Sequence, residues 1–269
     1  MTALKSGTLE LPSLPDIAIN VRLAANNENL NIADLVRLVQ QDPGLSAYLL
    51  KVSISSHYKR RHATSNLDSA LRRLGLDATR DLTASYALKT LFYINDPQIK
   101  RHLRDIWQRS VYTAALAHVM ARHCGFDPDR ALLAGLMQDI GALPLLTNLK
   151  LYPTLLNDHH GVDQLINEYT GKISGLVLNH WKFDYELVTV GLERGNWLRD
   201  KQGDADLADL ILIARYHSYL NEPSHKKLPQ LSSLPAFRKL KLGDIGPQQG
   251  LKFLREAREE IDELRSTLS

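Results

Sequence analysis

The stretch Ala134-Gly135-Leu136-Met137-Gln138-Asp139-Ile140-Gly141 closes an apolar run and is followed by a helix breaker. A helix that ends in an imidazole followed by a carboxylate can place two adjacent ligands on one divalent metal such as zinc, iron, manganese or nickel. A catalytic metal needs about three or four such ligands and an open position for water. Here the pair reads Gln138-Asp139. A neutral amide is a poor transition-metal ligand, because its oxygen is uncharged and its nitrogen has no free lone pair. One carboxylate does not make up that ligand count. The simpler reading of Asp139, a helix-end carboxylate bonded to backbone or to a cation, therefore outweighs a metal role.

Other chemistry-bearing residues carry weaker patterns. Of ten histidines, His159 and His160 are adjacent, in what reads as a loop containing Pro and Asp; His118 and His123 are five apart on a helix; and His180 precedes Trp181. None has a second ligand at a recognised spacing, so surface or hydrogen-bonded histidines are the expectation. Lys59-Arg60-Arg61, flanked by Tyr58 and His62, is a candidate contact for an anion or a partner. A solvated loop is the ordinary reading of such a run, as for Arg72-Arg73 and Lys226-Lys227, because nucleic-acid binding calls for a broader basic footprint. Cys124 is the single cysteine. It excludes an internal disulfide and a CxxC metal site, and reads as a small core or helix-end residue.

Composition places these residues in an ordinary globular chain. The 269 residues are 44% hydrophobic and 23% charged, with a net charge of +3. The isoelectric point of about 8.9 neither demands nor excludes an anionic partner. Met1-Thr2-Ala3-Leu4-Lys5-Ser6 shows no apolar signal run, and no apolar stretch is expected to reach the ~20 residues of a membrane span. With one cysteine, the expectation is a cytoplasmic protein that engages no membrane.

Nearly every segment has helical period. Ser13-Leu14-Pro15-Asp16 signals a start, with Ser13 as cap and Ile17, Val21 and Ala24 on one face. Asn31, Asp42-Pro43, Asn66 or Ser65, and Asp77 are the next expected caps, and Gly75 is a stop. Asn95-Asp96-Pro97 marks a subdomain boundary and the start of a long helix ending near Cys124-Gly125. Asp127-Pro128 caps the helix leading to Gln138-Asp139, whose interior is apolar nearly all round and so central to its core. Pro144 and Pro153 break the chain into short pieces. Helices are then expected around Leu165–Tyr169 with Gly171 as stop, from Leu176 to Trp181, after Asp184, and from Asp206 to Leu220. A polar linker (221–230), a short helix at Leu234–Leu240 and a last amphipathic helix from Pro247 complete the chain. No alternating strand, G-x-G-x-x-G, Walker loop or G-x-S-x-G occurs. The reading is all-α: an N-terminal helical part (1–95), a helical core (96–220), and a linker with C-terminal helices packing on the domain (221–269).

Leu11-Pro12-Ser13-Leu14-Pro15, Gln41-Asp42-Pro43-Gly44-Leu45, Ser69-Ala70-Leu71-Arg72-Arg73-Leu74-Gly75-Leu76, Trp107-Gln108-Arg109-Ser110 and Ala134–Gly141 occur in the order and spacing of HDOD (HD-related output) domains. The segment from Gly171 to Trp181 and the tail from Pro235 also resemble that family. The resemblance implies an all-helical multi-helix bundle with an HD-domain-like core, derived from HD metal-dependent phosphohydrolases. It also implies a mostly bacterial distribution, and work alongside second-messenger enzymes and sensor proteins. Against the family's metal-binding pattern this chain departs at nearly every position. The first His is Arg109, the His of the His-Asp pair is Gln138, the His expected after Gly171 is Ser174, and the one expected after Trp181 falls near Arg194-Gly195; Asp139 alone survives. Arg109, Gln138, Asp139 and Ser174 are therefore vestigial HD-site positions.

A salt bridge between Arg109 and Asp139 is expected where an ancestral metal sat. The first functional reading is a non-catalytic regulatory protein that binds signalling proteins, with no metal and no cofactor. The alternatives are a divergent metal-dependent phosphohydrolase with ligands recruited from His159, His160 or Glu168, and nucleic-acid binding through the Lys59 loop.

Overall fold

The computed structural model describes residues 9–27, 31–55, 58, 66–94, 96–220, 228–242 and 251–268. Among these residues there are helices and no β-strand. Two compact units emerge, one of residues 14–90 and one formed by 1–13 with 91–267.

The first unit holds α1 (Asp16–Ala25), α2 (Ile32–Val39), α3 (Pro43–Ser53), α4 (Leu67–Leu74) and most of α5 (Leu76–Phe92). Its helix starts follow from side-chain caps. The Asn31 carboxamide accepts from Asp34 N at 2.9 Å, Asp42 from Leu45 N at 2.9 Å and Asn66 from Ser69 N at 2.9 Å. Each satisfies a backbone donor that the first turn leaves without a partner. Gly75 ends α4 at φ 83, a conformation that costs a side chain but not glycine. Two starts differ from the sequence expectation. α1 begins at Asp16 with Pro15 as its cap residue and no side-chain bond, so Ser13 caps nothing. Asp77 lies inside the first turn of α5 and pairs with Arg80. The Lys59, Arg60 and Arg61 candidates, with His62 and Ser65, lie outside the described residues.

The second unit contains α6 (Lys100–Cys124), α7 (Pro128–Met137), α8 (Ala142–Leu149), α9 (Pro153–Leu156), α10 (His159–His180), α11 (Tyr185–Glu193) and α12 (Leu207–Ser218). The short α13 (Pro235–Leu240), α14 (Lys252–Glu256) and α15 (Arg258–Leu268) follow. Gly125, at φ 75, ends α6, and Asp127 caps α7 by accepting from Arg130 N at 2.7 Å. The short turn makes α6 and α7 antiparallel neighbours, packed so closely that a Cβ on Gly135 would lie 2.5 Å from Ala114 Cα. α12 is buried at every one of its residues, and it packs against α6, α7, α11 and α13.

Several sequence expectations change here. Pro144 does not break the chain; it occupies the first turn of α8, where a backbone N–H has no intrahelical acceptor to lose. His159 and His160 lie in the first turn of α10, whose cap is Asp158, rather than in a loop. Gly171 does not stop a helix, because α10 runs unbroken from His159 to His180. A Cβ on Gly171 would lie 3.0 Å from Leu192 O, and one on Gly175 would lie 2.4 Å from Leu192 Cδ2. These glycines let the neighbouring helix approach, and the gain in packing outweighs their weak helix propensity.

Residues Pro128–Leu149 are long and apolar enough to cross a membrane by length and composition, contrary to the expectation that no such stretch exists. Most of that segment is buried inside the fold, and the turn at 138–141 divides it into two helices. Its apolar character is that of a core element.

Candidate functional site: a carboxylate between two buried arginines

Asp139 follows the last turn of α7, in the 138–141 turn. Gly141 allows α10 to close on this turn, since a Cβ there would lie 2.3 Å from Ser174 N and 2.5 Å from Thr170 O. Across that approach, Ser174 Oγ donates to the Gln138 carbonyl at 2.9 Å and accepts from Gly141 N at 2.9 Å. A buried serine hydroxyl thus ties the turn to α10 with both of its functions used. Gln138, fully buried, donates through Nε2 to Gly135 O at 3.1 Å.

Both oxygens of Asp139 face guanidinium groups. Arg215, in the last turn of α12, places NH1 2.5 Å from Oδ2, and the same nitrogen donates to Gln138 Oε1 at 3.0 Å. Arg194, at the C-terminal end of α11, forms an ion pair with Oδ1 through Nε, outside hydrogen-bond alignment. Arg215 NH2 donates to the Tyr219 hydroxyl at 2.8 Å. Trp197 meets Tyr216 and Tyr219 edge-on, with ring centroids at 6.0 and 6.3 Å. Asp139, Arg194 and Arg215 are each at least 95% buried.

Arg109 does not make the expected salt bridge. Its guanidinium carbon lies 4.1 Å from the centre of the Tyr219 ring, a cation–π arrangement. Its charge reaches Asp139 only through space. The physical reason is occupancy: Arg194 and Arg215 already take both carboxylate oxygens. Burial alone would raise the Asp139 carboxyl. The charges of Arg194 and Arg215, the bond from Arg215 and the more distant Arg109 overcome it and hold Asp139 below its ordinary range. Arg194 is pulled the other way: burial first, then the charge of Arg215, lower its pKa despite Asp139.

This donor set does not fit a divalent metal. The one carboxylate is committed to two cations, and Gln138 Oε1 accepts from one of them. Among the described residues, no group of three or more His, Cys, Asp or Glu side chains could hold a metal ion. His159 and His160 are exposed, and His160 Nε2 contacts Gln164 Nε2. Glu168 is exposed. His118 is buried with Nδ1 3.1 Å from Pro128 O, and His123 stacks on Phe253. Cys124 ends α6, and burial pushes its thiol up to about 11, which removes it as a nucleophile at neutral pH.

The structure brings Gln138, Asp139, Ser174 and Arg194 together at one turn. Sequence reasoning missed Arg215. The readable signal was an arginine inside a helix apolar on nearly every face, which requires a buried anionic partner.

Comparison with known proteins agrees with this architecture. The family described as HDOD domain matches residues 11–194. A Shewanella amazonensis SB2B protein, provisionally described as a metal-dependent phosphohydrolase, superposes with TM-score 0.85 at 23% identity, over 100% of this chain and 96% of its own. An HDOD domain protein of unknown function from Geobacter sulfurreducens gives TM-score 0.65 at 19% identity, over 99% and 95%. A Marinobacter aquaeolei VT8 protein, provisionally described as a signal transduction protein, gives 0.58 at 21%, over 97% and 60%. At these identities the likeness is one of fold. A Treponema pallidum protein without a described function is 25% identical over 152 residues; the match spans 55% of this chain and 28% of that protein.

Proposed function

We propose that this chain, which belongs to the HDOD-domain family, is a non-catalytic regulatory protein of signal transduction that acts by binding other signalling proteins. The observation that carries the proposal is the double ion pair at Asp139. Arg194 and Arg215 supply positive charge where a metal-dependent hydrolase would hold its cation. A divalent ion placed there would have to displace both guanidiniums and would meet their repulsion at close range in a buried setting. The signal-transduction description of the Marinobacter relative supports the regulatory part of the reading. Second-messenger enzymes and sensor proteins are the partners we propose.

Elemental mass spectrometry on protein purified without chelator or a polyhistidine tag tests the reading, paired with turnover assays on phosphomonoesters and phosphodiesters. The expected result is metal far below one equivalent and no turnover. Stoichiometric zinc, iron, manganese or nickel that is lost in Asp139→Asn, together with hydrolysis, would overturn it.

A further inference from the structure

Two histidines far apart in the chain meet at one edge of the second unit. His102 lies in the first turn of α6, and His159 opens α10. Their ring centres are 5.9 Å apart, and the rings are tilted by 44° rather than stacked. No sequence spacing signals this pair, because the contact is made between two helices. His102 is half-buried and His159 is exposed, so both imidazoles border solvent. The surrounding chain holds the two helix starts beside each other. Lys150, just after α8, pairs with Asp96, just before α6, at 2.5 Å. Asp158 caps α10 by accepting from Gly161 N at 3.1 Å, which fixes the turn that carries His159. His160 is engaged elsewhere, with its Nε2 3.0 Å from the Gln164 amide nitrogen.

Neutral imidazole is a ligand for zinc, nickel and copper. With metal–nitrogen bonds of about 2.0–2.1 Å, two imidazoles on one ion have ring centres roughly 5–6.5 Å apart. The observed separation falls inside that span. We infer that His102 and His159 form a chelating site for a divalent transition-metal ion between the starts of α6 and α10. No third His, Cys, Asp or Glu side chain joins them among the described residues, so water fills the remaining positions. A site with two protein nitrogens falls short of the ligand count of a resident metal, so it holds its ion weakly and exchanges it. It would fill when metal is plentiful and empty on desalting. Copper(II) should bind most tightly, ahead of nickel(II) and zinc(II). The ion would tie α6 to α10 and stabilise the fold, since the unfolded chain does not hold the two rings together.

The site is separate from the Asp139 turn. Ser174, which bonds to that turn, lies fifteen residues beyond His159 on α10, or about 22 Å at the helical rise. The inference goes beyond the regulatory reading and does not rest on it.

The untagged full chain, stripped with chelator and desalted, tests the site by calorimetric titration with copper(II), nickel(II) and zinc(II) chlorides in a buffer that does not bind metals. The expected result is saturable uptake of one copper ion per chain, with a rise in melting temperature and weaker binding of nickel and zinc. Electron paramagnetic resonance at one equivalent of copper should show coupling to two imidazole nitrogens. His102→Gln and His159→Gln should each weaken copper binding roughly tenfold or more and remove the two-nitrogen signature. Both side chains border solvent, and circular dichroism checks that both variants fold. His180→Gln, at the exposed far end of α10, should leave affinity unchanged, and so should Asp139→Asn below its melting temperature.

Wild-type affinity in both folded histidine variants, or a one-nitrogen spectrum from the wild-type chain, would overturn the site. Uptake that survives in the histidine variants but is lost in Asp139→Asn, together with phosphoester turnover, would refute this site and the regulatory reading alike. Uptake lost only in the histidine variants, without turnover, supports the site and leaves the regulatory reading standing.

Discussion

Replacing Asp139 with asparagine keeps the shape of the side chain and removes its charge. Arg194 and Arg215 would then lie in the fold with no anion between them, and Arg215 NH1 would retain only the neutral Gln138 Oε1 at 3.0 Å. Breaking a buried pair from one side costs roughly 3–5 kcal/mol, because the remaining charge is left unmatched. For a chain of this size each kcal/mol moves the melting temperature by about 2–4 °C, so the expected fall is on the order of 10 °C. Urea unfolding at pH 7 followed by circular dichroism gives the free-energy difference directly. The double variant Asp139→Asn with Arg194→Gln should recover part of the loss, since it removes the surplus cation along with the anion.

The pH dependence follows from the sign of the Asp139 shift. Its carboxyl is held below the ordinary value of 3.8 in the folded state, so the unfolded chain binds the proton more readily. The contribution is complete above the unfolded pKa and fades as pH falls through the folded one. The gap between wild type and Asp139→Asn should therefore stay level from about pH 5 to 8 and close in stronger acid. An Asp139→Asn protein within about 1 kcal/mol of wild type at pH 7 would refute the claim that this carboxylate compensates two buried arginines.

Gly141→Ala should be severely destabilising, by about 3 kcal/mol or more, because the new methyl meets backbone at Ser174 and Thr170. Gly175→Ala meets Cδ2 and Cγ of the half-exposed Leu192 side chain rather than backbone, so it should cost less than Gly141→Ala, about 1–2 kcal/mol by melting temperature. His217 is lowered to about 4 by burial, partly offset by its bond to Ile213 O, so it stays neutral in the fold while the unfolded chain protonates near 6.5. Its contribution is complete above about pH 6.5 and is lost as pH falls toward 4, so His217→Gln should flatten the stability–pH curve across that window. Arg199→Met should cost roughly 3–5 kcal/mol in denaturant unfolding, because the fully buried Asp209 loses its guanidinium at 2.6 Å.

Local chemistry was largely legible in the sequence. Asn31, Asp42, Asn66, Asp127, Asp184 and Asp206 cap their helices through bonds to backbone N–H groups within three residues, which depend on nothing outside the first turn. That Arg109, Gln138 and Ser174 are not histidines is likewise a matter of residue identity. Glycine was the misleading residue type. At Gly75 and Gly125 it ends a helix with positive φ, whereas at Gly171 and Gly175 it continues one, and only the proximity of Leu192 distinguishes the two uses. The apolar run from Pro128 to Leu149 was misleading in the same way, since hydropathy does not tell a protein core from a lipid one.

What the sequence by itself determined is the helical content, the punctuation of most helices, and a single carboxylate, Asp139, at the turn after an apolar helix. Only the tertiary structure decided which cations reach Asp139. Arg215 lies 76 residues further along the chain, and its position depends on how α12 crosses α6, α7 and α11. Arg109, which the motif order put forward for the bridge, turns instead to Tyr219. Caps are local because the bonds that make them span one turn. An ion pair in a core depends on the convergence of separate helices, and that is set by the packing of all the side chains between them.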